Sequence, residues 1–178
     1  VDVRVRPEDE SGRNVYAGAH VVVLQETEGE RRLPIWVGPQ EGVSLAMLLE
    51  HVETPRPLTA IFMASLLEAA GTHLEQVRIT RLEHYTYYAE AVIVGPAGTR
   101  TVDARPSDAL LIALSTGAPV YADARVLELA DRTPGDWRPE TPVPTAMNAS
   151  AIVAEVQATW ARRMQGLEQQ RAEQQNRP

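Results

Sequence analysis

A short segment of mixed charge, 102–109, lies where the residue pattern changes from strand to helix. It contains Asp103, Arg105, Ser107 and Asp108, with a proline after the arginine. Proline suits the first position of a helix, and the open amides of a helix N-terminus can hold phosphate. Arg105 could add a bidentate contact to the same anion, with Ser107 beside it. Asp103 and Asp108 could hold a divalent cation or activate water.

A purely structural interpretation accounts for the same residues. Asp108 can cap the helix and pair with Arg105, while Asp103 simply ends the strand. The spacing favours neither interpretation over the other.

A second strand-to-helix corner follows the segment 33–37, where Gly38 and Pro39 end a strand and Glu41 falls in the first turn of a helix. A carboxylate there is stabilised by the positive end of the helix dipole. Because acids are common in first turns, we favour this structural role for Glu41 over that of a site carboxylate.

The histidines and tyrosines are weaker evidence for a functional site. The four histidines are far apart, without the HxH or HExxH spacing of a zinc site, and lone histidines at element ends are usually solvated. Tyr85, Tyr87 and Tyr88 lie at a predicted hairpin and could stack nucleic-acid bases. Acidic neighbours and the usual role of strand tyrosines favour packing instead.

Composition excludes several kinds of chemistry. The chain has no cysteine, and all 17 of its basic Lys and Arg residues are arginine. This removes thiol nucleophiles, disulfides, Schiff-base lysines and the Walker lysine. The net charge is −7, and it falls almost entirely before residue 131. Such an acidic core disfavours broad binding of a polyanion, although acidic clusters can hold divalent cations.

Periodicity and turn residues predict an α+β fold, with a mixed, mainly antiparallel sheet packed with about three helices, plus a C-terminal helical tail. Apolar residues recur every four positions at Leu58, Phe62, Leu66 and Ala70, which predicts the second helix. Strands are predicted at 1–6, 20–25, 31–37, 74–82, 86–94, 99–104 and 119–122, and helices at 40–51, 58–70 and 106–116. Asp123 could cap a last helical turn or two through Ala130.

The predicted organisation has three parts. They are an α+β domain at 1–130, a Pro-rich linker at 131–147, and an amphipathic tail with a frayed end at 148–178. No apolar run approaches the ~20 residues that span a bilayer, and no signal peptide is visible, so we expect a cytoplasmic protein without a membrane partner.

Three stretches resemble the bifunctional nuclease domain family. They are Leu33-Pro34-Ile35-Trp36-Val37-Gly38 with Glu41, then Pro55-Arg56-Pro57-Leu58-Thr59, then Asp103-Ala104-Arg105-Pro106-Ser107-Asp108-Ala109 with Thr116-Gly117-Ala118-Pro119-Val120. The resemblance extends over about 21–130. Family members usually follow the Arg-Pro-Leu-Thr stretch with His-Asp, whereas Ala60 and Ile61 follow it here, and neither can move a proton.

The resemblance implies a compact, often self-associating α+β domain, some of whose relatives cleave RNA and DNA. We therefore expect a nuclease, assisted by Mg²⁺ or Mn²⁺ and without an organic cofactor, with likeness to the family pointing to Glu41, Asp103, Arg105 and Asp108. Two alternatives are a non-catalytic regulatory or homo-oligomeric assembly module, and a sensor of a small anionic ligand at Arg105.

Overall fold

The structure is a computed structural model that describes residues 2–5, 20–84, 86–132 and 149–175. The predicted loop at 8–14, most of the predicted linker, and Tyr85 lie outside these ranges. The strands are β1 (Asp2–Val5), β2 (His20–Gln25), β3 (Arg32–Val37), β4 (His73–Glu83), β5 (Thr86–Gly95), β6 (Gly98–Ala104) and β7 (Val120–Ala122). The helices are α1 (Pro39–Leu49), α2 (Thr59–Ala69), α3 (Pro106–Thr116), α4 (Ala124–Arg132) and α5 (Ala149–Gln175).

The strands form two sheets, and the predicted α+β class is confirmed. The first sheet has the order β1-β2-β3 and is antiparallel throughout. The second has the order β6-β5-β4-β7. Its β4-β5-β6 part is the predicted antiparallel meander, and β7 pairs with β4 in parallel.

A single cluster of buried side chains connects both sheets with the helices. In β3, Leu33, Ile35 and Val37 are buried while Trp36 is exposed, as expected for a strand with one covered face. Helix α1 packs against α3 and α5, and α3 packs against α2. The largest fully buried side chains are Leu33, Ile35, Leu45, Ile79, Leu110, Val22, Val77 and Val126.

Helix α2 forms where the sequence predicts it, but its four-residue apolar repeat does not face the core. Phe62 is 55% exposed and Leu66 is 51% exposed, and Ala60 is the buried residue of the helix. The helix is apolar nearly all round, so periodicity alone does not decide which side is covered. The stripe at Phe62 and Leu66 is left as an apolar surface.

Among the α5 side chains whose burial the structure describes, the buried ones lie at the start of the helix. Ile152 and Val153 are buried and belong to the common core, where α5 packs against α1. Further along the same helix, Trp160 and Met164 are 43% and 56% exposed. No helix in the described ranges is long and apolar enough to cross a membrane.

His20 corrects the expectation that the lone histidines are solvated. It is 6% exposed, whereas His51, His73 and His84 are exposed as expected. The imidazole of His20 lies so close to Gly42 of α1 that a Cβ at position 42 would overlap the ring. The glycine therefore allows β2 and α1 to approach each other closely.

Candidate functional site

The two strand-to-helix corners predicted from the sequence are built alike. Gly38 precedes α1 and Arg105 precedes α3, and each has extended backbone (φ near −65°). A proline begins each helix, and an acid lies in each first turn, Glu41 in α1 and Asp108 in α3. Neither residue before the helix makes a side-chain capping hydrogen bond, so first-turn amides are left without that partner.

Arg105 joins the two corners. Its Nε and Nη2 donate hydrogen bonds to Asp108 Oδ2 at 2.7 Å and to Oδ1 at 2.9 Å. Its Nη2 also lies 3.2 Å from Glu41 Oε1. The fork holds the N-termini of α1 and α3 together, and each acid also complements the dipole of its own helix.

The Arg105 side chain remains largely in water, since it is 65% exposed. The hydrogen bonds to Asp108, and then the charge of Glu41, raise the pKa of Arg105 above its ordinary value, so the side chain is a permanent cation. Within the described part of the chain, neither N–H of Nη1 has a partner. The guanidinium therefore offers two further donors to solvent or to an anion.

A groove of about 440 Å³ opens beside this fork. The corner residues Glu41, Asp103, Arg105 and Ser107 all line it, so the structure brings both predicted segments to one place. Asp108 reaches it through Arg105. The remaining lining residues are Ile35, Trp36, Val37, Gly38, Thr86, Tyr87, Tyr88, Ala104 and Pro106.

Asp103 differs from the other two carboxylates. It is exposed and lies opposite Glu90 in the β5–β6 ladder, on the same face of the sheet. Glu90 accepts a hydrogen bond at 2.7 Å from Arg78 Nη2. Asp103 has no hydrogen bond or ion pair within the described ranges, so its oxygens are open to water.

Ser107 is 7% exposed, at the second position of α3. Its small side chain lets the helix N-terminus lie against the groove wall, and its backbone amide belongs to the uncapped first turn. The residue is thus placed at the groove more by its amide than by an exposed hydroxyl.

Aromatic residues form part of the groove, which the sequence interpretation had set aside. Tyr87 also packs on the core, as predicted, and burial raises its pKa to about 12. Tyr88 lines the groove, and the Arg81 guanidinium lies 3.9 Å from the centre of its ring. Trp36 was missed, although an aromatic residue between the buried Ile35 and Val37 must point away from the core.

The donor set for a metal ion is sparse. The described ranges contain no group of three or more His, Cys, Asp or Glu residues that could hold a metal. Glu41 and Asp108 both engage Arg105, which leaves Asp103 as the open oxygen ligand at the groove. Such a site does not form a closed metal cage, and it fits only an ion that arrives with other ligands, as Mg²⁺ does with phosphates.

Ala60 and Ile61 lie away from the groove. They occupy the first turn of α2, and neither lines the groove beside Arg105. The departure at Ala60 and Ile61 from the pattern expected by resemblance therefore does not alter the lining of the Arg105 groove.

Comparison with known proteins gives one consistent result. Residues 22–134 match the model of the bifunctional nuclease domain. An uncharacterized protein of Mycobacterium tuberculosis is 41% identical over 110 residues, which is 62% of this chain and 65% of that protein. Bifunctional nuclease 1 of Oryza sativa is 29% identical over 126 residues, 66% of this chain and 38% of the plant protein. Bifunctional nuclease 1 of Arabidopsis thaliana is 30% identical over 112 residues, which is 61% of this chain and 34% of the Arabidopsis protein.

Proposed function

The chain belongs to the bifunctional nuclease domain family, and from this premise we propose that it hydrolyses phosphodiester bonds of RNA and DNA in the groove beside Arg105. One observation carries the proposal. Two strand-to-helix corners meet at one groove, where, among the residues that the structure describes, Arg105 keeps two donors without a partner and lies beside Asp103, a carboxylate without an ion pair.

Arg105 and the first turn of α3 supply the phosphate-binding groups in this proposal. The two Nη1 donors can contact one phosphate, because Asp108 occupies the other edge of the guanidinium. The uncapped amides at Ser107 and its neighbour add donors from the positive end of the helix. Asp108 and Glu41 hold the guanidinium in position.

We assign activation of water to Asp103. Its carboxylate is the one in the groove without an Arg105 contact, so it can accept a proton. The attacking water oxygen bonds to phosphorus, its proton passes to Asp103, and the bond from phosphorus to the leaving oxygen breaks. The leaving oxygen takes a proton from solvent, and Arg105 balances charge that develops on the phosphoryl oxygens.

A divalent ion fits this arrangement only together with substrate. Asp103, with the phosphate oxygens, would hold Mg²⁺ or Mn²⁺, and Asp108 would join it only by giving up its bidentate pair with Arg105. When bound, the ion would polarise the phosphoryl group as a Lewis acid.

The test is cleavage of labelled single-stranded RNA and DNA by highly purified protein in Mg²⁺, Mn²⁺ or EDTA. Asp103→Asn is the first variant, because it keeps the shape of the side chain and removes the proton acceptor. The Asp103→Ala/Asp108→Ala double variant removes both proposed metal ligands. Activity that follows the protein through purification and is lost in both variants supports the proposal. Equal cutting by variants and parent indicates a contaminating nuclease and contradicts it.

A non-catalytic assembly module is the second candidate, and the exposed apolar face of α2 favours it. Phe62 and Leu66 are each more than half exposed, which is unusual for large apolar side chains one helical turn apart. A second copy of the chain is the occupant we propose for this face. Leu66→Asp should then lower the molar mass measured by light scattering, and a parent that is already monomeric would rule the idea out.

An anion sensor would use the same Arg105 donors without chemistry. Sulfate or a nucleotide should then raise the melting temperature by mass action, although no strand is cut. Arg105→Ala should remove that shift. A parent whose melting temperature is unaffected by either anion excludes the sensor.

A further inference from the structure

Two aromatic side chains reach the groove from different sheets. Trp36 belongs to β3 of the first sheet, is 39% exposed and lines the groove. Tyr88 belongs to β5 of the second sheet, and a planar guanidinium already lies over its ring. Two aromatic rings therefore line the groove beside the donors of Arg105, and Arg81 covers one face of the Tyr88 ring.

The charged side chains described around the groove carry a net negative charge, three arginines against five carboxylates. Arg105 is shared by Glu41 and Asp108, Arg78 pairs with Glu90, and Arg81 lies 3.5 Å from Glu83. Asp103 adds a negative charge that has no ion pair within the described ranges. A groove of this kind gains little from the counterion release that drives binding of long polyanions, so most of its affinity has to come from other contacts.

From these two features we propose that the groove binds one unpaired base of a single-stranded nucleic acid, stacked on Trp36 and Tyr88, with the adjoining phosphate at Arg105. The inference deepens the proposed nuclease function and shares its phosphate position. A volume of about 440 Å³ is typical of a pocket for one small ligand. A duplex keeps its base faces stacked inside, and extracting a base from it costs free energy that a single strand does not require.

Stacking and phosphate contacts affect binding in different ways, the first through its dependence on the base and the second through its dependence on salt. Removing one stacked base should weaken binding about 5- to 150-fold, which corresponds to ~1–3 kcal/mol. A single neutralised phosphate on a single strand predicts a slope of about −0.7 for the logarithm of the binding constant against the logarithm of salt concentration. A basic nucleic-acid surface would give a slope several times steeper.

The experiment is equilibrium binding of fluorescein-labelled oligonucleotides to the full chain in EDTA, so that no metal-dependent cleavage interferes. The probes are a single-stranded hexamer, the same hexamer with abasic sites, and a longer blunt-ended duplex of two strands, which has no unpaired base. We expect the intact hexamer to bind most tightly, with the abasic and duplex probes about 5- to 150-fold weaker. Trp36→Ala should remove this preference, while Trp36→Phe should keep most of it.

Trp160→Ala is the matched control. Trp160 is exposed to a similar degree, 43% against 39%, but it lies on α5 and does not line the groove. Equal binding of intact and abasic probes, equal binding of the duplex, or no measurable binding of any probe would overturn the base site. So would a Trp36→Ala variant that is folded, by its melting temperature, and binds like the parent.

The base site and the nuclease can fail separately. Base-dependent binding without cleavage in Mg²⁺ or Mn²⁺ upholds the base site and contradicts the nuclease. Cleavage that depends on Asp103, combined with equal affinity for abasic and intact probes, upholds the nuclease and contradicts the base site.

Discussion

Replacing Arg105 distinguishes two roles of this residue, holding the two helix N-termini together and binding phosphate, because the first affects stability and the second affects activity. Arg105→Ala removes a bidentate pair with Asp108 and a single contact with Glu41. Charges about 4 Å apart attract by ~1 kcal/mol in water, and exposed pairs measure ~0.2–1 kcal/mol each. Because the arginine is 65% exposed, we take the solvent-screened value, about 1 kcal/mol for the whole fork. The melting temperature should fall by about 2–8 °C.

The loss of activity should be larger than this loss of stability. A charge-assisted hydrogen bond to phosphate contributes ~1.5–3 kcal/mol, so kcat/KM for oligonucleotide cleavage should fall ~10- to 150-fold well below the melting temperature. Arg105→Lys should recover part of the stability but little of the activity, because an ammonium group cannot act as a planar fork. Arg100→Ala is the control, since Arg100 is an exposed arginine on β6 without an ion pair in the described ranges.

Two results would refute this reasoning in different ways. Unchanged cleavage by a destabilised Arg105→Ala protein would leave Arg105 as a clamp only. Unchanged stability, in low salt as well as in high salt, would show that the fork does not hold the two helix ends together.

Three further predictions concern the body of the fold. Gly42→Ala should lower the free energy of unfolding in urea by ~1–3 kcal/mol, because its Cβ would overlap the buried His20 ring. Gly29→Ala is the control, since its neighbour is the flexible end of Glu26, and equal losses of stability would contradict the packing argument. The raised pKa of Tyr87 means that folding favours its neutral form, so at most about 3 kcal/mol of stability is present below pH ~10 and is lost towards pH 12. Tyr87→Phe should flatten this alkaline loss of stability, and an unchanged dependence of stability on pH would refute the prediction. Ile152→Ala, at a buried position, should lower the free energy of unfolding by ~2–5 kcal/mol, and Trp160→Ala, at an exposed one, by less than ~0.5 kcal/mol, as measured by thermal melting. Similar losses would mean that the start of α5 is not part of the core.

Much of the fold follows from local signals. The hairpin of β2 and β3, the β4-β5-β6 meander, and α3 between Pro106 and Gly117 all have strong turn or breaker residues at their ends. Gly117, for example, has a φ of 73°, a left-handed conformation that favours glycine. Such signals act within a few residues, so a single sequence displays them.

What the sequence could not reveal depends on contacts between distant segments. The burial of His20 is created by Gly42 across two elements, and neither residue signals the other. The apolar repeat of α2 identifies a helix, but the side that is covered depends on where α3 lies.

The candidate site was predicted as two separate corners, and the structure brings them together through one guanidinium. Each corner had a sufficient local explanation in proline and a first-turn acid. The link between them, and the position of Trp36 on the same groove, required the tertiary arrangement. The catalytic and phosphate-binding roles of Glu41, Asp103, Asp108, Arg105 and Ser107 stay predictions.

In the proposed nuclease, the shared guanidinium would have a consequence for catalytic turnover. An arginine that already pairs with two carboxylates would bind a substrate phosphate less tightly than an unpaired arginine. For the same reason it would release the product phosphate faster. Weak ground-state binding leaves more of the interaction energy for the transition state, where negative charge on the phosphoryl oxygens is redistributed. A groove built in this way is suited to rapid exchange of successive short strands rather than to long residence on any one of them.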